Sequence, residues 1–232
     1  MKKYLLPVCL LSFSAINFIS CYQDDDDEFF DFDDLSISRH TTLTRSGMNE
    51  PQYFQKKEEY YYAINTQYPK EENCCYLTVI MERWIAKMGK PYFSTESCTL
   101  NANDYYQQIK GQLQDANPGW TPGQSLNSST FIDFADDLTY TKGNTTANLF
   151  SDLVIFSNIG TSASTYLSNE DNCKKVTAIC VEKAGEPDHI AYVTKIKSNK
   201  VHFKGYAFLG DNKYTMDING ESGWSIAGVI LK

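Results

Sequence analysis

Asn73-Cys74-Cys75-Tyr76-Leu77-Thr78-Val79-Ile80-Met81-Glu82-Arg83-Trp84-Ile85-Ala86-Lys87-Met88-Gly89-Lys90-Pro91 is the stretch on which the fold turns. Apolar side chains recur at 77, 80, 81, 84, 85 and 88, the 3.6-residue spacing of a helix with one buried stripe. Gly89 and Pro91 end it, because glycine readily takes the left-handed backbone at a helix C-terminus and proline cannot continue the ladder. The spacing predicts a helix over residues 73–88 with two thiols at its start. Unpaired backbone N–H groups and the positive end of the helix dipole favour a thiolate there. Cys74 is therefore a candidate nucleophile, and Cys75 competes with it. Extending the stripe backward by three from Leu77 puts Cys74 at the border of the packed face, with Cys75 a further 100° round the axis.

Working outward, two more helices are expected, over residues 103–115 and after Ser128-Ser129, where Phe131, Phe134, Ala135 and Leu138 share a face. Residues 148–159 favour helix over strand. Beyond residue 175 the character changes. Residues 176–181, 189–196, 200–208, 214–218 and 225–231 are short β-branched or aromatic runs bounded by Gly, Asn, Asp and Pro. Ser198-Asn199 reads as a tight hairpin turn. A helical first half followed by an antiparallel second half makes an α+β domain.

The chain has 232 residues, 42% hydrophobic and 14% aromatic, enough for a proper core in one body. Its net charge of −8 excludes a nucleic-acid binder, which needs a basic face. Eight of the 29 acidic residues lie in the first 34, against two of the 21 basic ones, so the rest is close to neutral. Lys2-Lys3 precedes an apolar run to Ile19 that is interrupted by Pro7, Ser12, Ser14 and Asn17, the composition of a cleaved signal and not of a spanning helix. Phe18-Ile19-Ser20-Cys21 resembles the lipobox of bacterial lipoproteins, whose cysteine is lipidated. Asp24 to Asp27 and Glu28 follow at once. Their placement resembles the acidic export signal of Bacteroidetes-type surface lipoproteins. The expected organisation is a signal peptide over 1–20, a lipidated acidic tether over 21–52, and a folded domain over 53–232. The expected location is the bacterial outer membrane, held by lipid at Cys21 and exposed at the surface.

Five cysteines remain beyond the tether: Cys74, Cys75, Cys98, Cys173 and Cys180. An odd number in an exported chain leaves at least one thiol unpaired. No CxxC pair or thiol–histidine spacing reads as a metal site, and no cofactor motif is present. A thiol nucleophile needs a base, and the chain has three histidines. His40 falls in the linker. His189 opens the run Ile190-Ala191-Tyr192-Val193-Thr194-Lys195-Ile196 after a Gly185-Glu186-Pro187-Asp188 turn, which sets its ring at a strand end.

A cysteine at a helix start, then a histidine at the mouth of an apolar strand leading into a hairpin, resembles the papain-like cysteine peptidases. The nearer likeness is to the double-glycine-leader (bacteriocin-processing) peptidases and their lipoprotein relatives. Their N-C-G-P-x-x-x-x-M motif is similar to residues 73–81, with Cys75-Tyr76 in place of Gly-Pro. Their H-x-V-V-V-T-G strand is similar to residues 189–196. The resemblance covers about residues 60–232. It implies a helical lobe carrying Cys74 packed on a sheet carrying His189, and hydrolysis of peptide bonds through an acyl-enzyme on Cys74. Gln67 would serve as the oxyanion-hole amide. The orienting Asp or Asn would fall near Lys204-Gly205, so His202, Asp211 or Asn212 are the candidates for that part. Cys75 would face the core or pair with Cys98. A peptide or protein substrate is implied, and a cell-wall peptide amidase or endopeptidase is a related alternative. A third reading is a binding protein that keeps the fold and has lost the chemistry.

Overall fold

The computed structural model describes residues 50–70, 74–121, 123–124, 126, 128–205, 207–210 and 213–231. All of them belong to one compact unit, Arg45–Lys232. The signal peptide and Cys21 lie outside the described residues, as do Asp211 and Asn212.

Helix α1 spans Glu50–Asn65, so regular structure begins within the expected tether, a little before residue 53. Helix α2 spans Cys75–Met88 with Cys74 as its N-cap. It ends where expected: Gly89 at φ 81° turns its N–H back onto Ile85 O at 2.9 Å. Pro91 does more than stop that helix. It sits in the first turn of a further short one, α3 (Lys90–Phe93), where its missing N–H costs nothing. Helix α4 (Ala102–Ala116) starts on an Asn101 side chain that accepts from Asp104 N, and α5 covers Ser128–Asp136.

Residues 148–159 are not a helix. A polar hairpin, β1 (Thr139–Lys142) with β2 (Thr145–Asn148), runs into strand β3 (Leu153–Ile155) and a 3-10 turn, Phe156–Ile159. Leu153, Val154 and Ile155 form ladder bonds with the last strand, and that pairing outweighs the weak helical spacing. Two short helices follow, α6 (Ala163–Leu167) and α7 (Glu170–Cys173). Then come β4 (Val176–Glu182), β5 (His189–Lys197), β6 (Lys200–Lys204), β7 (Thr215–Asp217) and β8 (Ser225–Leu231). The strand predicted over 200–208 ends at Lys204, and Gly205 has φ 118°. Ser198 and Asn199 both have positive φ (52° and 61°), as a two-residue hairpin turn of the I′ kind demands.

The six-stranded sheet has the order β3-β8-β4-β5-β6-β7, antiparallel throughout. Successive side chains on a strand point to opposite faces. Ala178, Ile190 and Ile230 join α2, α4 and α5 in one core, which holds Leu77, Met81, Trp84, Ile109 and Phe131. Ile179, Val181, Ala191, Val193, Phe203 and Trp224 form a second core on the other face, under Phe156 and Leu167. Helix α2 is therefore no half-exposed amphipathic helix. Nine of its fourteen residues are buried, because it lies between the sheet and α4. The architecture is α+β. Among the described residues no helix is long and apolar enough to cross a membrane.

Candidate functional site

Cys74 closes the N-terminus of α2 with its backbone, its carbonyl accepting from Leu77 N at 3.0 Å and Thr78 N at 3.3 Å. Its side chain does not open onto a cleft. Only 2% of the residue is exposed, and Sγ lies 3.5 Å from Tyr76 Oη. Tyr76 donates its one hydroxyl hydrogen to Gln124 O at 2.9 Å and accepts from Trp120 Nε1 at 2.8 Å. Burial, and then the neighbouring Cys74, push the Tyr76 hydroxyl far above its ordinary value.

Cys75 begins α2 and is half-buried. Burial pushes its thiol up, opposed by hydrogen bonds from the backbone of Ile190 and Tyr76, and Cys74 beside it adds to the rise. The helix terminus does not overcome the loss of water here. Cys98 is not bonded to Cys75: both are free thiols, and that of Cys98 donates to Leu100 O at 3.4 Å. The thiol near Cys75 is Cys180 on β4, which burial pushes up to about 12. All five cysteines of the body are free thiols.

His189 is the first residue of β5, paired with Val181. Its ring lies 5.3 Å from Trp224 and 6.1 Å from Phe208, near-parallel to the latter. Both aromatics pack with the second core. Desolvation holds the His189 imidazole below its ordinary value, with the Asp188 and Glu186 carboxylates acting the other way. Cys74 thus belongs to the helix-side core and the His189 ring to the opposite side of the sheet. Among the described residues no histidine hydrogen-bonds Cys74 or Cys75.

His202 cannot orient His189. In the β5–β6 register it pairs with Lys195, six residues along β5 from His189. At about 3.3 Å per residue that is roughly 20 Å. His202 is also out of step with the neighbouring Val201 and Phe203, which face the second core. Gln67 follows α1, donates its N–H to Ile64 O at 3.2 Å, and keeps its side chain exposed.

The histidine end of β5 instead borders a small cleft of about 180 Å³. Phe131 and Ile132 of α5, Ile155 of β3, and Cys180 and Ile190 give it apolar walls. The exposed Glu182 and Asp188 stand at its mouth beside His189. Nothing in the local sequence marks this cleft, because α5 and β3 reach it only through the tertiary fold. The Tyr76–Trp120 bond was equally hidden, joining residues 44 apart. Among the described residues no group of three or more His, Cys, Asp or Glu is placed to hold a metal ion. No family model, curated protein or solved structure matches this chain.

Proposed function

We propose that this chain is an exported, lipid-anchored surface protein whose papain-like body binds peptide without cutting it. The export and anchoring rest on residues 1–28, and the papain-like reading on the motifs at 73–81 and 189–196. One observation carries the loss of chemistry: the Cys74 thiol is sealed in the helix-side core against the Tyr76 hydroxyl, while the His189 ring packs with Trp224 and Phe208 of the second core. Among the described residues no histidine hydrogen-bonds that thiol, so it lacks the paired base that activates a nucleophile.

The test is alkylation of the folded protein with iodoacetamide, read by mass spectrometry. Cys74 should react at least about a hundredfold more slowly than in the unfolded chain, because reaction must wait for local opening. Rapid stoichiometric labelling at Cys74, lost in His189→Ala, would overturn the binding reading. The second reading, a cysteine hydrolase of peptide bonds, is favoured by one feature. The backbone of Ile190, the residue next to His189, acts on the Cys75 thiol and lowers it against the effect of burial. It predicts the same rapid labelling at Cys75. The wall-peptide amidase variant leaned on His202 and loses that support at roughly 20 Å.

The cleft sets the class of ligand. At about 180 Å³ it falls below the roughly 300–1,000 Å³ of small-molecule sites. It suits one side chain of a peptide. Apolar walls under two carboxylates match the aliphatic stem and charged head of lysine or arginine. Fluorescent lysine-containing peptides should bind, and Glu182→Gln with Asp188→Asn should weaken them by about three- to tenfold at low salt. High salt should abolish that difference. Equal binding by the variant would show that the acidic mouth plays no part.

A further inference from the structure

Three of the five body thiols gather at one place. Cys74 and Cys75 are adjacent at the start of α2, and Cys180 lies across the helix–sheet boundary from them. Cys180 and Ile190 are register partners on β4 and β5, which puts their side chains side by side on the helix-facing surface of the sheet. Cys75 reaches the same spot from above, since α2 packs on β5, the Ile190 backbone acts on the Cys75 thiol, and Cys75 in turn acts on Cys180. Both Cys75 and Cys180 pack on the helix-side core. Cys98 and Cys173 are occupied elsewhere, the latter donating to Leu167 O at 2.9 Å and packing with the opposite core.

We propose that Cys75 and Cys180 are a redox pair that closes to a disulfide, fastening α2 to β4 when the protein meets a disulfide oxidant such as that of an oxidising cell compartment. The occurrence of this bond in the living cell rests on the export reading. The chemistry is a thiol–disulfide exchange. Burial raises both thiols, so the exchange runs slowly through their small thiolate fraction and quickens as pH rises. The Cys75 thiolate attacks one sulfur of the oxidant's disulfide and expels one oxidant thiolate, leaving a mixed disulfide. The Cys180 thiolate then attacks the Cys75 sulfur and expels the second. The two protons released by the cysteines end on the two thiols of the reduced oxidant. Cys74 is the poorer partner, because its thiol is committed to Tyr76 on the side of Trp120. The bond would close a loop of 105 residues, long enough to restrict the unfolded chain strongly. It would also fix one wall of the cleft, which Cys180 lines.

The experiment oxidises the reduced, folded protein with glutathione disulfide and maps the products after trypsin digestion. The tryptic peptide 71–83 carries both Cys74 and Cys75, so the mapping is repeated in Cys74→Ala. The expected product links 71–83 to 176–183, persists in Cys74→Ala and is absent in Cys75→Ala. The oxidised protein should melt about 5–15 °C above the reduced one. Absence of the link, its loss in Cys74→Ala, or a dominant bond to Cys98 or Cys173 would overturn the pairing. Alkylation of thiols in whole cells before purification separates the two claims. A link that forms with glutathione disulfide but is missing from the cellular protein would leave the pair standing and defeat the export reading.

Discussion

Trp84→Ala is expected to lower the unfolding free energy by about 4 kcal/mol. Trp84 is 2% exposed at the middle of α2. Its indole stacks on Tyr105 of α4 at 4.1 Å between centroids and 12° between planes. It also meets Phe93 of α3 edge-on at 5.4 Å. One side chain therefore ties three helices, and no neighbour can collapse into the space without giving up its own contacts. Removing a buried Trp costs about 3–5 kcal/mol, and each aromatic pair adds about 0.5–1.5 beyond its buried area. Against a total of about 5–15 kcal/mol, this takes a large share of the stability. Urea unfolding should show a lower midpoint with an unchanged slope. A loss below about 1 kcal/mol would mean that α2, α3 and α4 do not pack as described.

The helix that carries Trp84 was legible because glycine and proline punctuate its end and its apolar spacing is regular. The hairpin at Ser198-Asn199 was legible because two adjacent positive-φ residues have few alternatives. The β1–β2 hairpin was not. Thr139 to Asn148 is polar and mostly exposed, so no alternation of apolar side chains announces it, although Gly143-Asn144 makes its turn. Which side of the sheet His189 faces was hidden for a related reason. Whether the His189 ring faces α2 depends on the parity of β5. Ile190 and Tyr192 are apolar, and so are Ala191 and Val193, because the strand is buried on both faces. A strand of that kind offers no alternation from which to choose a side. The same ambiguity affects the two cysteines: in a helix buried nearly all round, a backward extension of the stripe places Cys74 against packed neighbours but cannot tell a cleft wall from a core. His202 was misplaced through distance along the strand, which only the β5–β6 register supplies.

Gly228→Ala tests the edge of the sheet and the cleft together. Gly228 sits in the middle of β8, between Ile155 of β3 and Cys180 of β4. Its backbone needs no unusual φ, so the reason for glycine is space. A Cβ there would lie 2.7 Å from Val154 O and 3.0 Å from Ile155 Cδ1. The first of these is a backbone atom and cannot swing aside as the end of a side chain can. The strand must move, and β3 is the side able to move because it lies at the sheet edge. Overpacking costs about 1–3 kcal/mol where side chains can yield. Displacing a strand and its ladder bonds puts this substitution at about 3 kcal/mol. Because β3 supplies Ile155 to the cleft, the variant should also lose most of its affinity for lysine-containing peptides. Hydrogen exchange should rise first at the β3–β8 amides, ahead of global unfolding. Wild-type stability in Gly228→Ala would mean that β3 does not pair with β8. Lost stability with unchanged peptide binding would move the peptide site away from this cleft.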